Sequence, residues 1–318
     1  MPRELRALVV GIDDYPLKPL TGSVSDAKRM ASVLRQHGTQ EPNFAVKLLT
    51  APMKKVTEST LLSAVHRLFD TQCDAALFYF SGHGCVTGEG GFIMTQDWDE
   101  EDAGMSMDEL LAIANKSTIR DKFIILDCCH SGKFGSRDIG GSEVALLSEG
   151  LSVLTSSRDL EDSIEEAGGG LFTSLVVDAL EGGASDLQGN VTPGGIYAYV
   201  DRSLSSWDQR PIFKANVSRF FALRKNIPPI KIEVLRKIGE YFDDPLEDYQ
   251  LKPSYEDTSK DKNPDDVTIF KNLQKLVSVG LVVPVGADHM YYAAMNSKSC
   301  RLTPLGRHYW RSAIEGKI

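Results

Sequence analysis

Two short polar stretches carry residue types suited to nucleophilic chemistry. Asp127-Cys128-Cys129-His130-Ser131-Gly132 follows the apolar run Phe123-Ile124-Ile125-Leu126, and Ser81-Gly82-His83-Gly84 follows Ala75-Ala76-Leu77-Phe78-Tyr79-Phe80. Each apolar run reads as a buried strand of a parallel sheet. The cysteine and the histidine, 46 residues apart from His83 to Cys129, therefore fall at strand C-terminal ends, where open α/β sheets collect ligand and catalytic groups. A free thiol with a pKa of about 8.5 is only slightly ionised at neutral pH, and an adjacent imidazole takes its proton or stabilises the anion. His83 and Cys129 are thus expected to act as base and nucleophile. The backbone N–H groups of Gly84 and Cys129 are the expected oxyanion hole. Gly82 and Gly84 are expected to permit a tight backbone and leave room for a peptide. Either residue alone has a plainer reading, an inert core thiol or a hydrogen-bonded surface imidazole. The two loops together, each with its strand and glycines, argue for chemistry.

Those loops need a scaffold, and residues 1–225 alternate strand and helix. Leu5 to Ile12 reads as a strand, Ser23 to His37 as an amphipathic helix, Phe44 to Leu49 as a strand and Ser59 to Phe69 as a helix. Glu89 to Met94 reads as a small hairpin, and Met107 to Ala114 as a helix with a Ser106/Glu109 capping box. Gly132 to Ser142 lacks an apolar period and is expected to be a mobile loop. A strand over Gly150–Thr155, a helix over Leu171–Leu180 and a helix opened by Thr192-Pro193 follow, and Arg219–Leu223 closes the unit. The pattern predicts an α/β fold, a mainly parallel sheet flanked by helices.

Composition bounds the function classes. The chain has 318 residues, enough for one large domain and a smaller one, with 42% hydrophobic and 25% charged residues, as in ordinary soluble proteins. No run approaches the roughly 20 apolar residues that span a bilayer, so no membrane partner is expected. The start, Met1 to Arg6, carries Glu4 and leads into a strand, unlike a signal peptide. Five scattered cysteines fit a reducing cytoplasm, which keeps a catalytic thiol free. A net charge of −9 argues against nucleic acid as the main partner.

Tyr79-Phe80-Ser81-Gly82-His83-Gly84 and Asp127-Cys128-Cys129-His130-Ser131-Gly132 resemble the two signature blocks of caspase-like cysteine proteases, in the metacaspase and bacterial caspase-like branch with its F-S-G-H-G and D-x-C-H-S-G motifs. The resemblance covers about residues 5–225. It implies a caspase-type core, a His83/Cys129 dyad and protein substrates. Cys128 occupies the variable place before the nucleophile and reads as a small buried thiol.

The resemblance extends to specificity. Leu20-Thr21-Gly22-Ser23-Val24-Ser25-Asp26-Ala27 is similar to the metacaspase L-x-G-C-x-N-D-A segment, departing from it at Ser23. Metacaspases cut after Arg or Lys, and the match assigns Asp26, Asp127 and Ser81 to the acidic pocket. Two carboxylates in a desolvated pocket favour a guanidinium or ammonium. Asp26 also has a plainer reading, a carboxylate at a helix start. Ser156 and Ser157 fall where caspase-like enzymes pair with the substrate backbone. Many metacaspases need calcium, and Asp97, Asp99, Glu100, Glu101 and Asp102 supply hard oxygen ligands. The run lacks EF-hand order and reads equally as a solvated loop, so no cofactor or metal site is assigned. Lys133 and Arg137 lie just after Cys129, which suggests a zymogen cut within Lys133–Ser148 by itself or by an upstream protease. Bacterial relatives of this kind act in stress, antiphage or cell-death pathways.

Asn226-Ile227-Pro228-Pro229 marks the expected boundary between a 1–225 protease domain and a 226–318 domain. In the latter, Ile230 to Phe242 reads as one helix, Asp243 to Asp266 as an acidic mobile stretch, and Val267 to Val279 as a second helix. Gly280–Val285 and Met290–Ala293 read as hairpin strands, and Arg301-Leu302-Thr303-Pro304-Leu305-Gly306-Arg307 leads into a closing helix. This order resembles winged-helix domains, a small α+β fold. Residues 226–318 hold 13 Lys+Arg and 13 Asp+Glu. DNA-binding faces show a basic excess, so contact with a regulatory protein is expected ahead of DNA. A catalytically silent scaffold and a DNA-bound regulator remain as the alternative classes.

Overall fold

In the computed structural model the described residues are 3–16, 18–51, 53–99, 104–128, 136–139, 142–156, 165–166, 169–204 and 210–318, with the backbone alone for 136–139, 142–145, 165, 166 and 169. By their contacts they form two units, residues 1–185 with 190–227, and residues 186–189 with 228–318.

The first unit is built on strands β1 (Leu5–Ile12), β2 (Ala45–Ala51), β3 (Ala75–Ser81), β7 (Asp121–Asp127), β10 (Leu151–Thr155) and β14 (Ile212–Asn216), in the order β14-β10-β7-β3-β1-β2. Every pairing is parallel except β10 with β14. All of β3 and β7 is buried, which explains their unbroken apolar runs: both faces of a parallel sheet are covered. Helices α2 (Glu58–Asp70) and α3 (Met107–Lys116) pack on one face against Phe78, Phe80, Ile124 and Leu126. The other face takes α1 (Ser23–Arg35), α4 (Leu171–Asp178) and α5 (Pro193–Ser203) against Leu77, Tyr79, Phe123 and Ile125. Each such fully buried side chain contributes about 1.5–3 kcal/mol.

Short strands decorate the C-terminal edge: β4 (Gly84–Thr87), β5 (Gly90–Ile93) and β6 (Met105–Ser106) form one sheet. Further pairs are β8 (Ser136–Ile139) with β9 (Ser142–Ala145), β11 (Glu165–Glu166) with β12 (Gly169–Gly170), and β13 (Asn190–Val191) with β15 (Arg224–Lys225). Within the stretch expected to be a mobile loop, Gly132–Ser142, residues 136–139 pair as β8 with β9, which starts at Ser142; residues 132–135, 140 and 141 lie outside the described residues. The antiparallel edge strand β14 is a second departure. It lies in a stretch interrupted by Lys214 and Asn216 at a half-covered edge, where patterning is weak.

The second unit holds α6 (Ile232–Arg236), α7 (Ile238–Tyr241), β16 (Tyr249–Gln250), α8 (Pro264–Ser278), β17 (Val282–Val285), α9 (Met290–Met295), β18 (Ser299–Leu302) and α10 (Pro304–Ile314). Its sheet runs β16-β18-β17, antiparallel throughout. Met290–Ala293 is therefore helix, not strand. His289 caps it by accepting the Tyr291 amide at 3.3 Å, and the strand that pairs with β17 is Ser299–Leu302. The helix expected over Ile230–Phe242 is divided in two at Lys237. The 243–266 stretch is anchored: Leu251 and Tyr255 are buried, the Tyr249 and Tyr255 hydroxyls meet at 2.8 Å, and Arg301 pairs with Asp248 at 3.1 Å.

Candidate active site

Parallel pairing of β3 with β7 sets Ser81 opposite Asp127, and the Gly82 amide donates to the Asp127 carbonyl at 3.3 Å. His83 lies two residues past Ser81, and Cys129 two past Asp127. Register alone therefore brings the two strands to their C-terminal ends side by side. Cys129 and Ser157 lie outside the described residues. Cys128 is 5% exposed and packs with Ile124 and Leu126 on the α2/α3 face, as expected for a core thiol.

The β1–α1 loop grips His83. Imidazole Nε2 lies 2.7 Å from the Lys18 carbonyl oxygen. A carbonyl only accepts, so Nε2 carries a proton, and in the neutral ring the lone pair is on Nδ1. The His83 amide donates to the Tyr15 hydroxyl at 3.0 Å, and the two rings lie 4.7 Å apart between centroids. That loop is itself fastened. The Asp13 carboxylate accepts the Ser23 and Val24 amides at 2.8 and 3.2 Å, capping α1 from outside, and its carbonyl accepts Tyr15 and Leu20. Gln96 ties in Asp14 at 3.0 Å. Gly82 departs from expectation. A Cβ there would lie 2.4 Å from the Tyr15 hydroxyl and 2.7 Å from the Phe80 ring, so the space is taken by protein rather than left for a peptide. Its backbone, like that of Gly84, is outside the left-handed region. Gly84 opens β4 opposite Ile93.

The expected acidic residues gather on the other face of the same strand ends. Asp26 is 2% exposed and its Oδ2 accepts the Gly170 amide at 2.8 Å. A Cβ on Gly170 would lie 3.0 Å from Asp127 Oδ2 and 3.3 Å from Asp26 Oδ2, so both carboxylates converge on one point where a side chain would be tight. Helix α1 can bring Asp26 there because Gly11 lacks a side chain: a Cβ would meet the Ser23 carbonyl oxygen at 2.4 Å. Thr173, wholly buried, donates its hydroxyl proton to Asp127 Oδ2 at 2.6 Å and so accepts from the Tyr79 hydroxyl, also at 2.6 Å. Ser81 is buried and hydrogen-bonds Tyr79, while Ser156 hydrogen-bonds Asp127. The result is one chain of hydroxyls, Ser81–Tyr79–Thr173, ending on a carboxylate.

Electrostatics follow from that burial. Desolvation pushes Asp26 up to about 6, against the Gly170 amide that favours the anion, with Asp127 raising it further and Arg29 lowering it. Asp127 is also pushed up by burial, opposed by the hydrogen bonds of Thr173 and Ser156. Arg29 Nη1 reaches Asp26 at 3.4 Å and the Ser174 hydroxyl at 3.1 Å. Asp127 makes no ion pair among the described residues. Two carboxylates held apart from water at raised pKa form a site that a cation stabilises.

Of the acidic run proposed for calcium, Asp97 is engaged structurally: it accepts the Glu58 amide at 3.0 Å at the start of α2 and the Thr95 hydroxyl at 2.7 Å. Glu100, Glu101 and Asp102 lie outside the described residues. Among the described residues no group of three or more His, Cys, Asp or Glu is arranged to hold a metal ion.

Sequence reasoning missed Tyr15, Lys18, Thr173, Gly170 and Arg29. Tyr15 had a usable signal, since it follows the end of β1 as His83 follows the end of β3. The Lys18 contact is a backbone carbonyl and has no residue-type signature.

No curated protein matches the chain. Solved structures do. Protein GSU0716 from Geobacter sulfurreducens superposes with a TM-score of 0.52 at 18% identity, over 71% of this chain and 98% of that one. Caspase-1 from Spodoptera frugiperda superposes with a TM-score of 0.50 at 14% identity, over 70% of this chain and 91% of that one. At such identities the likeness concerns the fold. The sequence itself matches the model of the caspase domain over residues 4–223, from the first strand through the last paired strands of the sheet. With the parallel sheet and the two strand-end loops where that model runs, the chain belongs to the caspase domain family of cysteine peptidases.

Proposed function

We propose that this protein is a cysteine endopeptidase that cuts proteins after basic residues, Arg before Lys. The observation that carries the specificity is the convergence of the buried Asp26 and Asp127 carboxylates at Gly170. A bidentate guanidinium satisfies both carboxylates better than a point-charged ammonium, and an acidic side chain is repelled. Ser81 and Ser156 border the carboxylates through their hydrogen bonds, and the role of Ser157 in pairing with the substrate backbone rests on the family resemblance alone.

In the proposed reaction His83 Nδ1 takes the Cys129 proton. The thiolate attacks the scissile carbonyl carbon, forming a C–S bond while the carbonyl electron pair moves to oxygen. The Gly84 and Cys129 amides stabilise that oxyanion. Collapse breaks the C–N bond, the leaving amine takes the proton from His83, and water then hydrolyses the thioester with His83 as base. The Lys18 carbonyl supports this role, since an Nε2–H tautomer keeps Nδ1 available.

The enzyme is further proposed to be a cytoplasmic zymogen of a stress, antiphage or cell-death pathway, activated by a cut at Lys133 or Arg137. Residues 226–318 would serve as a winged-helix-like docking module for a regulatory protein; their balanced charge supports protein contact over DNA. Substituting both Lys133 and Arg137 tests this, since unaltered activation removes the zymogen proposal.

The primary test compares fluorogenic peptides ending in Arg, Lys or Asp, with wild type and Cys129→Ala, with and without calcium. Arg and Lys cleavage that the variant loses supports both dyad and pocket. Asp cleavage overturns the pocket assignment while keeping the enzyme. Silence after cleavage of the 133–148 segment points to a scaffold.

A further inference from the structure

Tyr15 is 5% exposed, yet its hydroxyl is fully engaged: it accepts the His83 amide proton at 3.0 Å and donates to the Met94 carbonyl at 3.2 Å. The Met94 amide in turn donates to the His83 carbonyl at 3.0 Å. The hydroxyl thus closes a ring of hydrogen bonds around the backbone of residue 83, linking β1, the β3 loop and the end of β5. Its aromatic ring lies 4.7 Å from the imidazole, tilted by 54°, and so restricts how the imidazole can turn. Gly82 is shaped to this arrangement, because a Cβ at that position would lie 2.4 Å from the Tyr15 oxygen.

From this geometry we infer that Tyr15 is a positioning residue for His83: its hydroxyl fixes the histidine backbone and its ring fixes the imidazole plane, so that Nε2 stays on the Lys18 carbonyl and Nδ1 stays free to accept a proton. The inference rests on the His83/Cys129 reading for its kinetic consequence, but not for its structural one. Tyr15 and Lys18 belong to the same loop, so one element sets both the anchor and the orientation of the imidazole. A misplacement of about 1 Å in a general base can cost about a hundredfold in rate. Tyr15 has no proton to relay, since its hydroxyl is held between two backbone groups, the His83 amide and the Met94 carbonyl, neither of which titrates.

The test uses the full chain with Tyr15→Phe and Tyr15→Leu. Tyr15→Phe keeps the ring and leaves the His83 amide without its acceptor. It also frees the Met94 carbonyl, and is expected to lower kcat about tenfold with KM within about twofold, the scale set by losing the hydrogen bond that holds the His83 amide. Tyr15→Leu, which removes ring and hydroxyl, is expected to fall further. The second readout needs no activity. In a Cys129→Ala background with 15N-labelled histidine, wild-type His83 should show the single Nε2–H tautomer, and both Tyr15 variants should show a tautomer mixture. An unchanged His83 ring signature overturns the inference, as does a rate loss that only tracks the folded fraction in thermal melts. If wild type cuts no peptide, the dyad reading fails separately. The ring signature then decides alone, a mixture supporting Tyr15 as the positioner and an unchanged tautomer overturning it.

Discussion

Replacing Thr173 by valine keeps the shape of a wholly buried side chain and removes the hydroxyl that donates to Asp127 at 2.6 Å. A hydrogen bond to a charged group contributes about 1.5–3 kcal/mol, and the buried Tyr79 hydroxyl loses its acceptor as well, which puts the loss at the upper end of that range. For a domain of this size that loss lowers Tm by roughly 3–12 °C. The effect must depend on pH. Burial already holds Asp127 above the ordinary carboxylate range, and Thr173 opposes that rise. Without it the folded-state pKa climbs further, because the hydrogen bond that favours the anion is gone. The destabilisation is therefore largest at alkaline pH, where Asp127 is ionised in both the folded and unfolded states. It shrinks in acid, where the carboxyl is protonated in both. Thermal melts of Thr173→Val between pH 4 and 9, in a Cys129→Ala background, measure this directly. A double-mutant cycle with Asp127→Asn isolates the pair. A Tm difference that stays constant across that range, or a coupling of zero, would show that Thr173 contributes through packing alone and would refute the carboxylate argument.

Asp26→Asn should be more stable than wild type above pH 6 and no different below pH 4, because a carboxyl raised to about 6 costs stability only where it is ionised. The gain should be roughly 2–6 °C in Tm, with kcat/KM on Arg peptides lowered about a hundredfold or more. Gly11→Ala places a Cβ 2.4 Å from the Ser23 carbonyl oxygen and 2.6 Å from the Ala27 side chain. It should cost about 1–3 kcal/mol as overpacking, shift α1, and reduce Arg-peptide cleavage by more than the melt accounts for.

The strands that carry the two loops were legible because a parallel sheet covered on both faces leaves an unbroken apolar run, as in Ala75–Phe80. Two helix starts were legible from local chemistry: Ser106 and Thr192 each accept an amide from their own first turns. Asp26 and Asp127 could be paired only through resemblance, since 101 residues of chain separate them. The elements missed were those whose order comes from elsewhere. Strand β14 takes its form from β10, β8 and β9 from each other, and the 243–266 stretch from the core beneath Leu251 and Tyr255. Helix α9 was misread because Tyr291 and Tyr292 favour strands while the His289 cap acts over a single turn.

The Asp26–Gly170 contact spans 144 positions of the chain, and its neighbour, Thr173 with Asp127, spans 46. On the ribosome, synthesis at about 5–20 residues per second delivers His83 and Cys129 well before Gly170 and Thr173. The loops can be joined early by the β3–β7 pairing, but the carboxylates have no complete cradle until α4 has left the exit tunnel. On the proposed function, a nascent chain would therefore carry the His83/Cys129 pair before the recess proposed to select its substrates is complete.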